Sequence, residues 1–298
     1  MRLRPLPVTT PCSAWIRPLW VLAMIGVLSA ESAVAQGVID RYALGRRDGQ
    51  QVDLPRDLRE ISGLAISRDG RFFAHGDEQA DVFEIDPLTG RAVRHFSLGE
   101  KTARGDFEGI AIAGSRFFLV TSAGGIVEFA AGADGERVAY TVHRGLPGED
   151  CEVEGLEYDA RSDSLLLACK TPYSKPLESR LVVFAFPLAR MRAESQPRIS
   201  APLDFLRAMD LGDELSPSGI AIHPTAGTIF VLAARQNLLV ELSAEGHPLG
   251  ARRLSGRNHR QPEGIAFASD GTLWIADEGG NGRSALTRYA MTAGSDLP

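Results

Sequence analysis

Glu108-Gly109-Ile110-Ala111-Ile112 is one of five copies of a short motif that recurs through this 298-residue chain. The other copies are Ser62-Gly63-Leu64-Ala65-Ile66, Glu154-Gly155-Leu156-Glu157-Tyr158, Ser218-Gly219-Ile220-Ala221-Ile222 and Glu263-Gly264-Ile265-Ala266-Phe267. Successive motif glycines are 46, 46, 64 and 45 residues apart. A unit that recurs at a nearly constant spacing is typical of a repeat architecture.

Each copy is followed by a turn and by further short apolar runs. In the first repeat these runs are 71–74, Asp81–Ile85 and Ala92–Leu98. Glycine-containing turns between such runs predict antiparallel hairpins, and four strands in about 45 residues make one β-propeller blade. Because a lone four-stranded sheet leaves two apolar faces exposed, blades bury them by packing around an axis. The sequence therefore predicts an all-β, five-bladed β-propeller.

The repeats depart from a regular spacing at two places, which predict an insertion in one blade and the segment that closes the ring. The 64-residue interval is too short for two blades, so we expect an insertion around 171–215, with a short helix over 203–211. The last motif leaves 34 residues after Gly264, enough for about three strands. Residues 37–46 resemble the fourth strand of the first repeat, and we expect them to close the last blade. Residues 36–298 would then form a single domain.

The predicted hairpins bring many carboxylates to one end of the ring. The first strand of each blade begins at the motif and the second runs back, so the two meet at one mouth. Ten carboxylates are expected there, namely Glu60, Asp77, Glu78, Asp106, Glu108, Glu152, Glu154, Glu263, Asp277 and Glu278. Lys170 and Arg235 are the cations expected among them.

Such crowding predicts a cation site at the mouth. Neighbouring carboxylates repel one another and raise one another's pKa unless a cation lies among them. Oxygen ligands without His or Cys favour calcium over zinc or copper. The predicted metal ligands are Glu60, Glu108, Glu154, Glu263, Asp77 and Asp277. The alternative for each side chain is a structural role, in which it caps a loop through backbone amides.

The order and spacing of the motifs resemble those of the SdiA-regulated, YjiK/CarP-like proteins. The segments Gly76-Asp77-Glu78 and Ala276-Asp277-Glu278 add to the resemblance, which covers about residues 37–289. It implies a five-bladed propeller with distant similarity to NHL repeats, a bound calcium ion and a periplasmic role linked to calcium handling. Similar propellers include phytase-like and strictosidine-synthase-like proteins, which brings hydrolysis into consideration. Ser62 and Ser218 replace Glu in two copies, so the ring is asymmetric.

The chain lacks the signatures of several common enzyme classes. It has no G-x-S-x-G, H-E-x-x-H, Walker or dinucleotide-binding motif. The catalytic candidates are His75 as a base, Glu154 as an activator of water, and Lys170 and Arg235 as holders of a small anionic ligand. Both cations could equally balance the carboxylates.

Two functions from different classes remain open. One is a calcium-binding protein with a binding or scaffold role, and the other is a calcium-dependent hydrolase of phosphoesters or lactones at the mouth. The absence of a recognisable nucleophile or acid–base pair in the sequence favours the first.

The N-terminus has the features of a signal peptide. Arg2, Arg4 and Arg17 precede the apolar run 18–30, and Ala33-Val34-Ala35 supplies a small-x-small pattern before cleavage after Ala35. The 13-residue run is short for a membrane span. We therefore expect a periplasmic or secreted protein without a stable membrane span after processing. An uncleaved N-terminal membrane anchor is the alternative.

Cleavage would change both the cysteine content and the charge of the chain. Only Cys151 and Cys169 would remain, near matching ends of one predicted hairpin. Export permits a disulfide, but the geometry of a cross-strand pair is strict, so the sequence leaves the pairing open. Losing three arginines and Glu31 would shift the net charge from −6 to −8. With no basic run in the body, nucleic acid is not an expected partner.

Overall fold

The computed structural model describes residues 37–45, 47–145 and 151–292. The predicted signal peptide and its cleavage point lie outside the described residues. The strands form five antiparallel blades, each beginning at one copy of the motif, so the predicted five-bladed propeller is confirmed. The strands of the first repeat are also those expected, since its third and fourth strands are Asp81–Ile85 and Ala92–Leu98.

The strands are labelled in chain order. They are β1 (Gln50–Asp53), β2 (Ile61–Ile66), β3 (Phe72–Gly76), β4 (Asp81–Ile85), β5 (Ala92–Leu98), β6 (Phe107–Ala113), β7 (Arg116–Thr121), β8 (Gly125–Ala130), β9 (Arg137–Val138), β10 (Tyr140–Arg144), β11 (Cys151–Asp159), β12 (Ser164–Pro172), β13 (Arg180–Pro187), β14 (Ile199–Pro202), β15 (Gly219–Ile222), β16 (Ile229–Ala233), β17 (Leu238–Leu242), β18 (Pro248–Arg253), β19 (Pro262–Phe267), β20 (Leu273–Asp277) and β21 (Ala285–Tyr289). From the axis outward, blades one to five are β2-β3-β4-β5, β6-β7-β8-β10, β11-β12-β13-β14, β15-β16-β17-β18 and β19-β20-β21-β1. The two-residue β9 pairs in parallel with β5 and so links the second repeat to blade one.

The helical elements among the described residues are few and short. They are α1 (Asp204–Ala208) and the 3-10 helices Ile39–Arg41, Arg56–Leu58 and Lys175–Leu177. Two of them, Lys175–Leu177 and α1, lie in the extra residues of the third repeat. In the described part of the chain, no helix has the length and apolar character needed to cross a bilayer.

The core consists of apolar layers between neighbouring blades. Successive side chains of a strand point to opposite faces, so Leu64 packs with Trp274 of blade five while Ala65 packs with Phe117 of blade two. All four side chains are buried. The large–small alternation of the motif therefore serves two interfaces at once, which explains why it recurs in four of the five blades; in blade three Glu157 takes the place of the small residue.

The motif glycines allow the inner strands to approach closely around the axis. A Cβ atom at Gly109 would lie 2.7 Å from the backbone nitrogen of Leu156 in the next blade. Gly155 adopts φ +125°, and a Cβ there would lie 3.1 Å from the Cα of Gly219. Real Cβ atoms do not approach backbone atoms as closely as 2.7 Å. Side chains larger than hydrogen would therefore push the blades apart.

The ring is closed by an N-terminal strand, but not by residues 37–46 as predicted. The closing strand is β1, which pairs antiparallel with β21 and places Val52 opposite Leu286. Within 37–45, Ile39–Arg41 is a 3-10 helix, and Tyr42 forms one isolated bridge with Met291.

Burial explains why the earlier segment does not become a strand. Ile39 and Tyr42 fill the core between blades four and five and are 2% and 5% exposed. The buried carboxylate of Glu241 accepts hydrogen bonds of 2.7–2.9 Å from the backbone amides of Val38 and Ile39. Backbone groups that would bond to a neighbouring strand are thus bound by a side chain of blade four. The apolar residues that alternate in this segment are therefore those buried between blades four and five, and they do not mark a strand paired with a neighbouring strand.

Cys151 and Cys169 form a disulfide between β11 and β12, which settles the pairing left open by the sequence. Both residues are buried, and their Cα atoms are 5.8 Å apart. The bridge joins the start of the first strand to the later part of the second, so it lies at the same mouth as Glu152 and Glu154.

Candidate functional site

A register shift in the inner strand positions the residue before the motif glycine. In four of the five blades this shift falls at Ser62, Glu108, Glu154 or Glu263. A residue in such a bulge leaves the regular ladder, and its side chain is redirected. In blade four, Ser218 lies just before β15, and its hydroxyl donates a 2.7 Å hydrogen bond to the carbonyl oxygen of Pro262.

Glu108, Glu154 and Glu263, here called the central carboxylates, influence one another across the axis. Burial, followed by the charges of Glu154 and Asp106, raises the pKa of Glu108 to about 9, and a hydrogen bond from Ser62 at 3.2 Å opposes the rise. Burial, followed by the charge of Glu154, raises the pKa of Glu263 to about 8. In the absence of a cation, both groups are therefore mainly protonated at neutral pH.

Lys170 is the cation in direct contact with this group. Its ammonium donates to Glu154 and lies 3.4 Å from Glu152. These two carboxylates raise the pKa of Lys170 against the opposing effect of burial. Burial raises the pKa of Glu154, and both Lys170 and the more distant Arg235 oppose that rise. The structure thus brings together three of the four catalytic candidates, Glu154, Lys170 and Arg235.

Glu60, Asp77 and Glu278, here called the outer carboxylates, form a second group between blades one and five. Burial and then the charge of Glu60 raise the pKa of Asp77. Burial and then the charge of Asp77 raise the pKa of Glu278, which also accepts a hydrogen bond from Gln261. Arg59 lies 3.2 Å from Glu60. The predicted acidic mouth is therefore divided into two clusters.

Asp277 belongs to neither cluster, because its side chain takes part in a buried hydrogen-bond chain. Its Oδ2 is 2.7 Å from His259 Nδ1, and His259 Nε2 is 2.7 Å from the Tyr289 hydroxyl. In the neutral tautomer that carries its proton on Nδ1, this nitrogen donates to the carboxylate and Nε2 accepts from the tyrosine hydroxyl. Burial raises the pKa of Asp277, and the hydrogen bond from His259 opposes it. The sequence reasoning missed His259, which lies in a loop and outside every motif.

The fourth catalytic candidate, His75, is fully enclosed within blade one. Its Nδ1 is 2.9 Å from the carbonyl oxygen of Gly76, and its Nε2 has no hydrogen-bond partner among the described residues. Burial lowers the pKa of His75 to about 4, so the ring is neutral at physiological pH. A Cβ at Gly63 would lie 2.3 Å from Nε2. The imidazole therefore packs against the inner strand and does not face solvent.

A small cavity on the axis is bordered by two of the central carboxylates. It is lined by Ser62, Glu108 and Glu263 together with motif glycines and apolar residues, and its volume is about 10 Å³, close to the space needed by one water molecule. Glu154 is not part of this lining, and carboxylate oxygens are ligands that calcium takes. Within residues 37–45, 47–145 and 151–292, no three Asp, Glu, His or Cys side chains are already arranged around one point as a metal cage.

The sequence matches a known family over most of the propeller. The family model described as SdiA-regulated matches residues 51–281. The chain belongs to the SdiA-regulated family. The matched span of this SdiA-regulated protein begins in β1 and contains all five motifs. No curated protein matches the sequence.

Solved structures resemble the SdiA-regulated protein in fold. Glutaminyl cyclase from Myxococcus xanthus has a TM-score of 0.57 and 14% identity, with coverage of 83% of this chain and 96% of that chain. The PQQ-bound aldose sugar dehydrogenase from Streptomyces coelicolor has a TM-score of 0.51 and 15% identity, covering 81% and 98%. A luciferin-regenerating enzyme has a TM-score of 0.50 and 9% identity, covering 82% and 95%. At such identities the likeness concerns the fold alone.

Proposed function

We propose that this SdiA-regulated propeller is an exported calcium-binding protein whose ion binds at the central carboxylates. The observation that carries the proposal is the burial of Glu108 and Glu263 beside Glu154, because Lys170 contacts Glu154 while neither Glu108 nor Glu263 forms an ion pair with a described residue. Buried carboxylates of like charge favour the ionised state only when a cation compensates them. A calcium ion would supply that compensation.

Each residue has a distinct part in such a site. Glu108 and Glu263 would lose their protons and provide charged oxygen ligands, and Ser62 would keep Glu108 oriented through its hydroxyl. Glu154 would provide a third carboxylate, held in place by Lys170. Each cluster of the mouth already has one cation beside a carboxylate, Lys170 beside Glu154 and Arg59 beside Glu60.

The Cys151–Cys169 disulfide supports export, since structural disulfides form in oxidising compartments. The signal-like N-terminus supports the same placement. A binding or scaffold role linked to calcium handling is favoured over hydrolysis, because the predicted base His75 is fully buried and cannot reach a substrate at the mouth. Calcium-dependent hydrolysis of esters or phosphoesters at the mouth is the alternative function.

A calcium titration of the purified, chelator-stripped protein tests the proposal. We expect calcium to raise the melting temperature, and we expect Glu108→Gln and Glu263→Gln each to weaken calcium binding at least about tenfold, or about 1.4 kcal/mol. Glu245→Gln, in the β17–β18 turn at the opposite end of the ring, is the matched control. If calcium has no effect on the wild-type protein, the proposal is wrong.

Activity assays with and without calcium separate the two functions. We expect no turnover of a panel of phosphoesters, carboxylic esters and lactones by protein that binds calcium. Calcium-dependent turnover that disappears in Glu154→Gln would instead establish the hydrolase, with Glu154 as the group that activates water.

A further inference from the structure

At the end of the ring opposite the mouth, a buried histidine of blade four contacts the N-terminal segment 37–45. His223 directly follows β15 and is fully buried. Its Nε2 is 2.9 Å from the hydroxyl oxygen of Tyr42, which lies between blades four and five. The rings of Phe230 and Phe267 pack against both side chains at centroid distances of 5.0–6.3 Å. His223 and Tyr42, here called the clasp, thus connect the segment with blade four.

The hydrogen bonds of the clasp require a neutral imidazole. The backbone N–H of Ala226 donates to Nδ1 of His223 at 3.0 Å, so Nδ1 keeps its lone pair and the ring proton is on Nε2. Nε2–H then donates to Tyr42, whose hydroxyl donates to the carbonyl oxygen of Gly271 at 2.6 Å. In an imidazolium, Nδ1–H would face the N–H of Ala226, and two buried donors would lose their partner. Such a loss is costly.

The segment itself disfavours protonation of this histidine. Burial, followed by the charge of Arg41, lowers the pKa of His223. Tyr42 provides part of that burial, and Arg41 belongs to the same segment, so both influences weaken when the segment leaves. Protons therefore favour the state in which the segment is detached. The other ionisable groups near Tyr42 are Glu241, which accepts from backbone amides of the segment, and Asp270.

We propose that the clasp is an acid-sensitive device, which holds residues 37–45 between blades four and five at neutral pH and releases them when His223 is protonated. The attached state has its full stability above the ordinary pKa of histidine, about 6.5, and loses stability as the pH falls below that value. The ring stays closed after release, because β1 is not part of the clasp. Neither residue is a proposed calcium ligand, so this inference does not depend on the proposed function.

Hydrogen–deuterium exchange of the full chain tests the release at the segment itself. Mass spectrometry of peptides from 37–45 reports the segment, and peptides from β7 report the core of blade two, with rates corrected for the intrinsic effect of pH. In chelator, we expect the protection of the segment to fall about tenfold between about pH 7.5 and about pH 5, while the protection of β7 changes less than twofold. Equal losses in both regions, or no loss in the segment, would overturn the proposal.

Substitutions assign the pH dependence to one side chain. His223→Gln cannot take up a proton, so we expect its segment to have the same protection at both pH values. His247→Gln is the matched control, because this histidine is exposed in the β17–β18 turn at the same end of the ring, and it should keep the wild-type loss. A pH dependence that persists in His223→Gln would assign the release to Glu241 or Asp270 and overturn the proposal.

A reciprocal measurement keeps the histidine and alters the segment. Since the coupling between two sites acts equally in both directions, loosening the segment must raise the pKa of His223. Tyr42→Ala removes the ring that covers the imidazole, and NMR titration compares the histidines of this variant with those of the wild-type chain. We expect the pKa of His223 to rise towards about 6.5 in the variant. The same pKa in both proteins would contradict the coupling, whatever the behaviour of His223→Gln.

Discussion

At the scale of single residues, Glu108 and Glu263 couple the stability of the fold to pH. Burial raises their pKa to about 9 and about 8, from an ordinary value near 4.5. Between the ordinary and the raised pKa, the folded chain holds protons that the unfolded chain has released. The free energy of unfolding therefore falls as the pH rises through this window when no cation is bound.

Glu108→Gln should remove part of this loss of stability at raised pH, because glutamine does not ionise. In chelator at about pH 8, we expect the variant to be more stable than the wild type by at least about 1 kcal/mol, or about 2–4 °C in melting temperature. At about pH 4 the difference should nearly vanish, because the wild-type carboxyl is then mostly protonated in the unfolded state as well as in the folded state. Calcium should reverse the order, since the variant loses a ligand. Thermal melts over a pH series measure all three effects, and a pH-independent difference would argue against the assignment.

Gly109 tests whether the close approach of the inner strands matters for stability. Gly109→Ala places a methyl group 2.7 Å from a backbone nitrogen of the next blade, so we expect a loss of about 3 kcal/mol. Gly114→Ala is the control, because its site has φ +66° but open space and should cost only about 1 kcal/mol. Urea unfolding compares the two. Equal losses would mean that the contact between blades is not the constraint.

At the scale of elements, hairpins were predictable and bulges were not. The apolar runs and glycine turns located the strands because their information is local. The register shift at Glu108 and Glu154 cannot be predicted from the local sequence, because it depends on how each inner strand packs against the next blade. Sequence reasoning thus placed these side chains at the right mouth without dividing the mouth into two clusters.

The disulfide of the β11–β12 hairpin should stabilise the folded protein. Cys151 and Cys169 are separated by 18 positions, and closing a loop of that size in the unfolded chain is worth about 3 kcal/mol. Cys151→Ala with Cys169→Ala should lower the free energy of unfolding by about that amount, as measured by urea unfolding without reductant. Reductant should destabilise the wild type and leave the double variant unchanged. A wild type insensitive to reductant under denaturing conditions would contradict the prediction.

At the scale of the whole molecule, stability depends on closing the ring with the N-terminal segment. Removing residues 37–53 deletes β1 and exposes the edge of β21, so we expect loss of cooperative thermal unfolding. Removing only 37–45 retains β1 but leaves the buried Glu241 with Thr228 as its remaining hydrogen-bond donor. That shorter deletion should fold with a lowered melting temperature. Circular dichroism melts distinguish the two, and unchanged cooperativity in the longer deletion would refute the closure.

The sequence by itself determined the blade count, the strand order within a blade and the end of the ring at which the carboxylates gather. These properties follow from periodicity, because a repeated pattern places equivalent residues at equivalent positions. It also placed Cys151 and Cys169 on one hairpin.

Only the tertiary structure decided which segment closes the ring, which carboxylates share a cluster and which polar groups remain unpaired. Residues 37–45 lie between blades four and five, where the buried Glu241 accepts hydrogen bonds from their backbone amides, and β1 completes the last blade. His259 forms hydrogen bonds with Asp277 and Tyr289, which are 18 and 30 positions away in sequence, and the side-chain oxygen of Asn237 has no partner among the described residues. Burial and hydrogen bonding between blades depend on contacts between positions far apart in sequence, and no local pattern encodes them.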